Sequence, residues 1–100
     1  MKQYLSSEQT AKLIELGFEK PRVAMPKFEW KDGDPQFRYT IGELISFLPD
    51  DGVSDRRLEF DGFHWIVDWD SFDKIHQTMQ VELVDALYDM IVMLKEEGVI

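Results

Sequence analysis

Four carboxylates at helical spacing are the residues of this chain whose types and positions first suggest a shared chemistry. Glu82, Asp85, Asp89 and Glu96, the acidic stripe, are separated by three, four and seven residues, so they share one face of an α-helix. The segment that carries them, residues 78–97, places no Lys or Arg on that face. Like charges at this spacing destabilise a helix by roughly a few tenths of a kcal/mol. The stripe therefore predicts a docking surface for a cationic partner, or a solvated face that maintains solubility.

The overall charge supports a basic protein surface as the partner. Residues 1–57 hold nine Lys or Arg against ten Asp or Glu, whereas residues 58–100 hold two against ten. An acidic half repels phosphate backbones and anionic lipids, so we expect neither nucleic acid nor a membrane as partner. The chain has no cysteine, no apolar run near the ~18 residues of a membrane span and no apolar leader at its start. We expect a cytoplasmic protein.

The two histidines are the next candidates for chemistry. Asp61-Gly62 is typical of a two-residue hairpin turn, which predicts that His64 lies opposite Glu59. Such a pair could form half of a metal site or act as a general base, or it could be an exposed cross-strand pair. A site needs a third group that converges on the pair, and the sequence predicts none. His76 is predicted to be solvated near the start of the last helix.

Three aspartates in the sequence D-W-D-S-F-D suggest a calcium loop. An EF-hand that starts at Asp68 needs Gly at its sixth position and Glu at its twelfth, but these positions hold Asp73 and Met79. We predict instead that Asp70 or Ser71 caps a helical turn. The sequence therefore predicts no metal, no cofactor and no catalytic residue.

Three helices are predicted from their end signals. Capping boxes begin two of them, at Ser6 with Gln9 and at Thr40 with Glu43. The first helix is predicted to end at Gly17, the second before Pro49 and the last at Gly98, because glycine accepts the left-handed conformation that closes a helix and proline cannot continue one.

A hairpin over residues 57–68 is the strongest β signal. Its two-residue turn pairs Phe60 with Phe63 and Leu58 with Trp65. The face predicted for the core contains Leu58, Phe60, Phe63, Trp65 and Val67. Residues 28–39 are predicted to form two short strands or an ordered excursion, and residues 49–57 a polar loop.

These elements predict a single α+β domain over residues 1–100. A small antiparallel sheet built around the hairpin is packed by the long C-terminal helix, together with two shorter helices. The last helix is apolar around a wide arc that includes Val81, Val84, Tyr88 and Val92. One small sheet cannot readily cover this arc, so we predict a homodimer through this helix.

Three segments resemble small uncharacterised bacterial proteins found with prophages and mobile elements: Y-L-S-S-E-Q-T-A-K-L-I-E-L-G-F, Y-T-I-G-E-L-I-S-F-L-P and E-L-V-D-A-L-Y-D-M-I-V-M-L-K-E-E-G. The resemblance implies a small soluble α+β protein and no site residue. Our interpretation is a protein-interaction module that uses the acidic stripe. The alternatives are a nucleic-acid mimic that inhibits a DNA-binding protein, and a small metal-dependent hydrolase that uses His64.

Overall fold

The computed structural model of this chain describes residues 1–49, 55–71 and 74–100 and has the predicted α+β architecture. Its elements are α1 (Ser7–Glu15), α2 (Ile41–Phe47), β1 (Asp55–Phe60), β2 (Trp65–Asp70), β3 (Ile75–Gln80) and α3 (Leu83–Glu96). The three strands form an antiparallel sheet in the order β1-β2-β3. Helix α3 packs on β2 and β3 and against α2.

The helix ends follow the predicted local signals. The Ser6 hydroxyl accepts a hydrogen bond from the Gln9 amide at 3.1 Å, and the Gln9 side chain accepts one from the Ser6 amide at 2.9 Å. The second predicted box, at the start of α2, is present as well. Gly17 and Gly98 take φ values of +99° and +78°. Both capping boxes and both glycine ends are therefore confirmed.

The start of the last helix was predicted wrongly, because a third strand occupies the first part of that segment. Residues 75–80 form β3, and α3 begins at Leu83 instead of near residue 78. The inward positions of β3 are His76 and Thr78, whose exposures are 3% and 8%. Hydropathy does not mark such polar residues as core, so the strand alternation is hidden in the sequence. Asp70 consequently ends a strand instead of capping a helix.

The hairpin is confirmed, but its register differs from the prediction by two residues. Phe60 pairs with Trp65 and Leu58 with Val67, which leaves a four-residue loop. The Asp61 carboxylate closes this loop by accepting hydrogen bonds from the amides of Phe63 and His64, at 2.8 and 2.6 Å. A shift of two keeps the strand residues on their predicted face, but the prediction that this face is buried is wrong for Leu58, Phe60 and Phe63, which are 41%, 53% and 80% exposed.

Helix α3 is the centre of the core. Seven of its residues are at most 6% exposed: Leu83, Val84, Ala86, Leu87, Met90, Ile91 and Leu94. The sheet covers one side, and the same apolar cluster contains Leu5, Leu13, Tyr39 and Leu44 from the N-terminal half. Of the arc that predicted a homodimer, Val84 is fully buried within the chain and Tyr88 and Val92 are half-buried, whereas Val81 is 65% exposed. The oligomeric state itself stays a prediction.

The segment 28–39 is an ordered excursion in which no strand forms. A single 3₁₀ turn at Lys27–Glu29 is followed by isolated bridges that join Ala24 to Phe37 and Lys31 to Asp34. Of the predicted polar loop 49–57, residues 50–54 lie outside the described residues, and Asp55 already begins β1. No helix among the described residues is long and apolar enough to cross a membrane.

Candidate functional site

Three members of the acidic stripe hold other parts of the chain. A Glu82 carboxylate oxygen accepts a hydrogen bond from the Lys2 backbone amide at 2.8 Å. An Asp85 oxygen lies 3.0 Å from the Lys2 ammonium and 3.0 Å from the Gln9 side-chain amide. Asp89 accepts a hydrogen bond from Gln80 at 2.7 Å. These carboxylates therefore connect the N-terminal segment, α1 and β3 to α3.

The sequence predicted that a partner supplies the positive charge next to the acidic stripe. In the structure, Lys2 of the same chain supplies part of it. Lys2 and Asp85 are 83 residues apart in sequence, and the ammonium and carboxylate side chains are 35% and 25% exposed. The positive charge of Lys2 offsets the repulsion that the stripe would otherwise build up. Glu96 differs, since its carboxylate is exposed and makes no ion pair or hydrogen bond with the described residues.

The predicted pairing of His64 with Glu59 is wrong. His64 lies in the loop between β1 and β2, where its Nδ1 is 3.9 Å from the Asp61 carboxylate. Glu59 instead pairs with Ile66. Backbone amides of His64 and Phe63 that donate to Asp61 lower the pKa of its carboxyl. The loop therefore holds a fixed aspartate, and the histidine–glutamate pair that a hydrolase would use is not assembled.

His76 is buried, contrary to the predicted solvated position. Its Nδ1 lies 3.1 Å from the Trp69 carbonyl oxygen, and its Nε2 lies 2.9 Å from a Glu97 carboxylate oxygen. A carbonyl oxygen only accepts, so Nδ1 is the donor in its contact with Trp69. Lys74 also contacts Glu97. His76 thus links the β2–β3 hairpin to the end of α3.

One aspartate of the rejected calcium loop, Asp68, makes contacts within the sheet. Asp68 lies on the face of the sheet that turns away from α3, yet it is only 5% exposed. Gln77 donates a hydrogen bond to one Asp68 oxygen at 2.9 Å, and the Arg57 guanidinium lies 3.4 Å from the other. Asp73 falls outside the described residues. In the part of the chain that the structure describes, no group of three His, Asp or Glu residues converges as a metal site.

The outer edge of β1 is the largest feature that the sequence did not predict. All six β1 residues are exposed, and β1 pairs with β2 alone among the described strands. Leu58 and Phe60 are 41% and 53% exposed on the side of the sheet that faces the helices. A cavity of about 210 Å³ adjoins Leu58, and its other lining residues are Ile45, Leu48 and Arg56. We call this edge, with its exposed apolar side chains and the cavity, the β1 surface.

The outward backbone groups of β1 belong to alternate residues. The Asp61 amide donates to the His64 carbonyl at 3.1 Å, which continues the β1–β2 ladder with a hydrogen-bonded pair. Hydrogen-bonded and non-hydrogen-bonded pairs alternate in an antiparallel ladder, so the amides and carbonyls of Arg57 and Glu59 point toward β2. Those of Arg56, Leu58 and Phe60 point outward, where a further strand would bind.

The described residues thus present two surfaces for a partner, the β1 surface and the exposed end of the acidic stripe near Glu96. The first offers backbone hydrogen-bonding groups beside apolar side chains, and the second offers carboxylates. Both surfaces must be interpreted from their own chemistry, because no protein-family model, no curated protein and no solved structure matches this chain.

Proposed function

We propose that this protein is a protein-binding module that receives an extended segment of a partner as an additional strand along β1. One observation carries the proposal: β1 is an exposed edge strand whose outward amides and carbonyls lie beside exposed apolar side chains. Addition of a strand to such an edge is a recurrent mode of peptide recognition. Protein sheets usually protect their edges, so an exposed edge strand that carries the apolar side chains of Leu58 and Phe60 among its charged residues points to a partner.

The two sides of the β1 surface select different side chains in the bound segment. On the side toward the helices, Leu58 lines the cavity and Phe60 is exposed beside it in the strand, which favours apolar residues at alternate positions of the partner. On the opposite side, Arg57 and Glu59 favour polar or charged residues of opposite sign. Backbone hydrogen bonds supply the affinity, whereas these side chains supply the specificity.

A proline substitution tests this proposal, because the Leu58 amide points outward. Leu58→Pro removes the amide that a new strand needs, while every amide that donates to β2 remains. Leu58→Ala is the matched control, since it also truncates the side chain but keeps the amide. Peptides selected from a displayed random library on the wild-type protein should bind Leu58→Ala more weakly and lose binding to Leu58→Pro. Circular dichroism checks that both variants remain folded.

Two results would contradict the proposal. The first is a selection that yields no peptide. The second is a set of selected peptides that bind folded Leu58→Pro as tightly as wild type, because they would not use the outward amide of β1.

A second candidate function is the predicted docking of a basic segment on the acidic stripe. The observation that favours it is the Lys2 ammonium, which Asp85 binds at 3.0 Å beside Gln9. The Lys2 ammonium therefore shows, within the chain itself, the kind of cationic group that the acidic stripe would bind. Glu96 would extend the same chemistry to a partner.

Charge reversal tests this second candidate. A lysine-rich peptide should bind the wild-type protein at low salt and dissociate at high salt, because the Debye length shortens from about 10 Å to about 3 Å between 0.1 and 1 M salt. Glu96→Lys should weaken that binding more than Glu15→Lys, an equal change of charge at an exposed position of α1. Equal losses would mean that the peptide responds only to net charge.

A nucleic-acid mimic and a metal-dependent hydrolase have less support. A mimic would present the stripe as free carboxylates, but Glu82, Asp85 and Asp89 are engaged within the chain. Their spacing along the helix, roughly 5–10 Å, is also wider than the ~1.7 Å between duplex charges. A hydrolase would need groups that converge on His64, and Glu59 does not.

A further inference from the structure

We infer that the strand added to β1 is the β1 strand of a second copy of this chain, paired antiparallel about a two-fold axis at Leu58. This inference rests on the proposed function and names its partner. The two three-stranded sheets would then form one continuous antiparallel sheet across the axis. Such a contact is isologous, because both copies contribute the same strand.

The backbone limits how two β1 strands can pair. In an antiparallel ladder, two residues that face each other either both form hydrogen bonds across the ladder or both do not. A residue whose backbone groups point outward from β1 must therefore face another such residue of the second copy. With Leu58 on the axis, it exchanges both hydrogen bonds with Leu58 of the second copy. Arg56 and Phe60 then do the same with each other at both ends, so every outward residue of β1 is paired across the axis.

The charged side chains of β1 favour the register centred on Leu58 over the register centred on Arg57. In the Leu58-centred register, Arg57 lies opposite Glu59 of the second copy, and the symmetry repeats this pair. Both positions are non-hydrogen-bonded, where side chains approach most closely. The Arg57 side chain is 69% exposed despite its contact with Asp68. The Glu59 side chain is exposed and makes no ion pair or hydrogen bond with the described residues.

The competing registers oppose like charges. A register centred on Arg57 pairs the same length of strand but places Arg57 opposite itself and Asp55 opposite Glu59. One centred on Glu59 places Glu59 opposite itself and extends pairing to Gly62, whose φ of +101° lies outside strand geometry. The Leu58-centred register also opposes Asp55 and Asp61, a like-charge contact that the symmetry repeats, but these residues lie beyond the paired residues 56–60.

The remaining chemistry of the β1 surface also suits a second copy. Strand β1 contains two basic and two acidic residues, so the contact surface is neutral although the chain carries a net charge of −9. On the side toward the helices, Leu58 meets Leu58 beside the cavity that Ile45 and Leu48 line. The contact thereby covers side chains that are 41% exposed in the single chain.

Complementary charge variants test the inference in the full chain. Sedimentation velocity from micromolar to millimolar concentration should show a monomer–dimer equilibrium for the wild-type protein. Glu59→Arg places Arg opposite Arg57, and Arg57→Glu places Glu opposite Glu59, so each alone should weaken dimerisation about tenfold or more. An equimolar mixture should recover it, because each variant restores the opposite charges in the other. Glu15→Arg on α1 is the control and should leave dimerisation unchanged.

The outcomes separate this inference from the proposed function. In one outcome, the wild-type protein stays monomeric throughout while displayed peptides still bind it and fail to bind Leu58→Pro. This result would overturn the pairing of two copies but would support the proposed peptide-binding function. A monomer that also binds no peptide overturns both. A dimer that the two folded charge variants leave intact, or a mixture of them that does not recover, overturns the Leu58-centred contact. Circular dichroism establishes folding of each variant.

Discussion

At the scale of single residues, His76 shows how a polar side chain becomes part of the core. The ring is 3% exposed, and its two nitrogens face the Trp69 carbonyl and the Glu97 carboxylate. A buried polar group stabilises a fold only when its hydrogen-bonding groups are satisfied. Of the two nitrogens, Nδ1 has a hydrogen-bond partner, so His76 contributes to stability through its contact with the Trp69 carbonyl.

We predict that His76→Leu lowers the free energy of unfolding by about 1–3 kcal/mol, because it leaves the Trp69 carbonyl without its side-chain donor. The matched control is His64→Gln, which should cost under ~1 kcal/mol since that ring is half-exposed in a loop. Urea unfolding measures both values. Equal losses for the two variants would mean that the contacts of His76 contribute no more than a surface pair.

Asp61 gives a prediction for pH. Its folded-state pKa is lowered by the amides of His64 and Phe63, so the unfolded chain takes up the proton at a higher pH than the folded chain does. The contribution of Asp61 to stability is therefore present above its unfolded pKa and is lost as pH falls through its folded pKa. Asp61→Asn should be less stable than wild type near neutral pH, and the difference should shrink in acid. A pH-independent difference in urea unfolding would refute this.

At the scale of elements, the contact between the N-terminal segment and α3 changes the meaning of the acidic stripe. Glu82 and Asp85 receive donors from Lys2 and Gln9. An isolated helix would gain stability from a lysine among these acids. In the folded chain, a lysine in place of Asp85 would face Lys2. The substitution is therefore expected to stabilise the isolated helix but to destabilise the whole fold.

We predict that Asp85→Lys lowers the free energy of unfolding by about 1–2 kcal/mol, since it replaces two attractive contacts with a repulsion. Glu96→Lys makes the same change of charge at an exposed site near the end of α3, where the helix dipole favours a cation. It should not lower stability. Thermal melts compare the two variants, and a higher midpoint for Asp85→Lys would contradict the contact with Lys2.

At the scale of the whole molecule, the core lies between the sheet and the N-terminal half, with α3 in the middle. Helix α3 is covered within the chain, whereas β1 is exposed along its length. The homodimer predicted through α3 stays a prediction, and the exposed edge of β1 is the surface on which the proposed strand addition would take place. Association along this edge extends the sheet without opening the core.

The two neighbouring tryptophans of β2 test this arrangement. Trp69 is 2% exposed and donates a hydrogen bond to the Pro49 carbonyl at 3.0 Å, whereas Trp65 is half-buried near the hairpin loop. We predict that Trp69→Ala costs about 3–5 kcal/mol, the usual range for a buried aromatic, and that Trp65→Ala costs less. Denaturant unfolding decides the order, and a larger loss at Trp65 would place the centre of the core elsewhere.

The sequence by itself determined the features that depend on a few adjacent residues. Both capping boxes and the glycine ends of α1 and α3 follow from side chains within a few positions of each helix end. The hairpin was predicted because Asp61-Gly62 favours a turn. Its register was not, since the Asp61 carboxylate closes a longer loop than the dipeptide alone suggests.

Tertiary structure decided which side chains meet across long separations. Lys2 finds Asp85, and His76 finds Glu97, only after α3 has packed against the sheet and the N-terminal segment. Strand β3 forms because its polar inward residues obtain partners there: Thr78 donates to the Ala86 carbonyl at 2.7 Å. No local pattern encodes these pairs. The exposure of β1 has the same origin, because an edge exists only once the order of the strands is set.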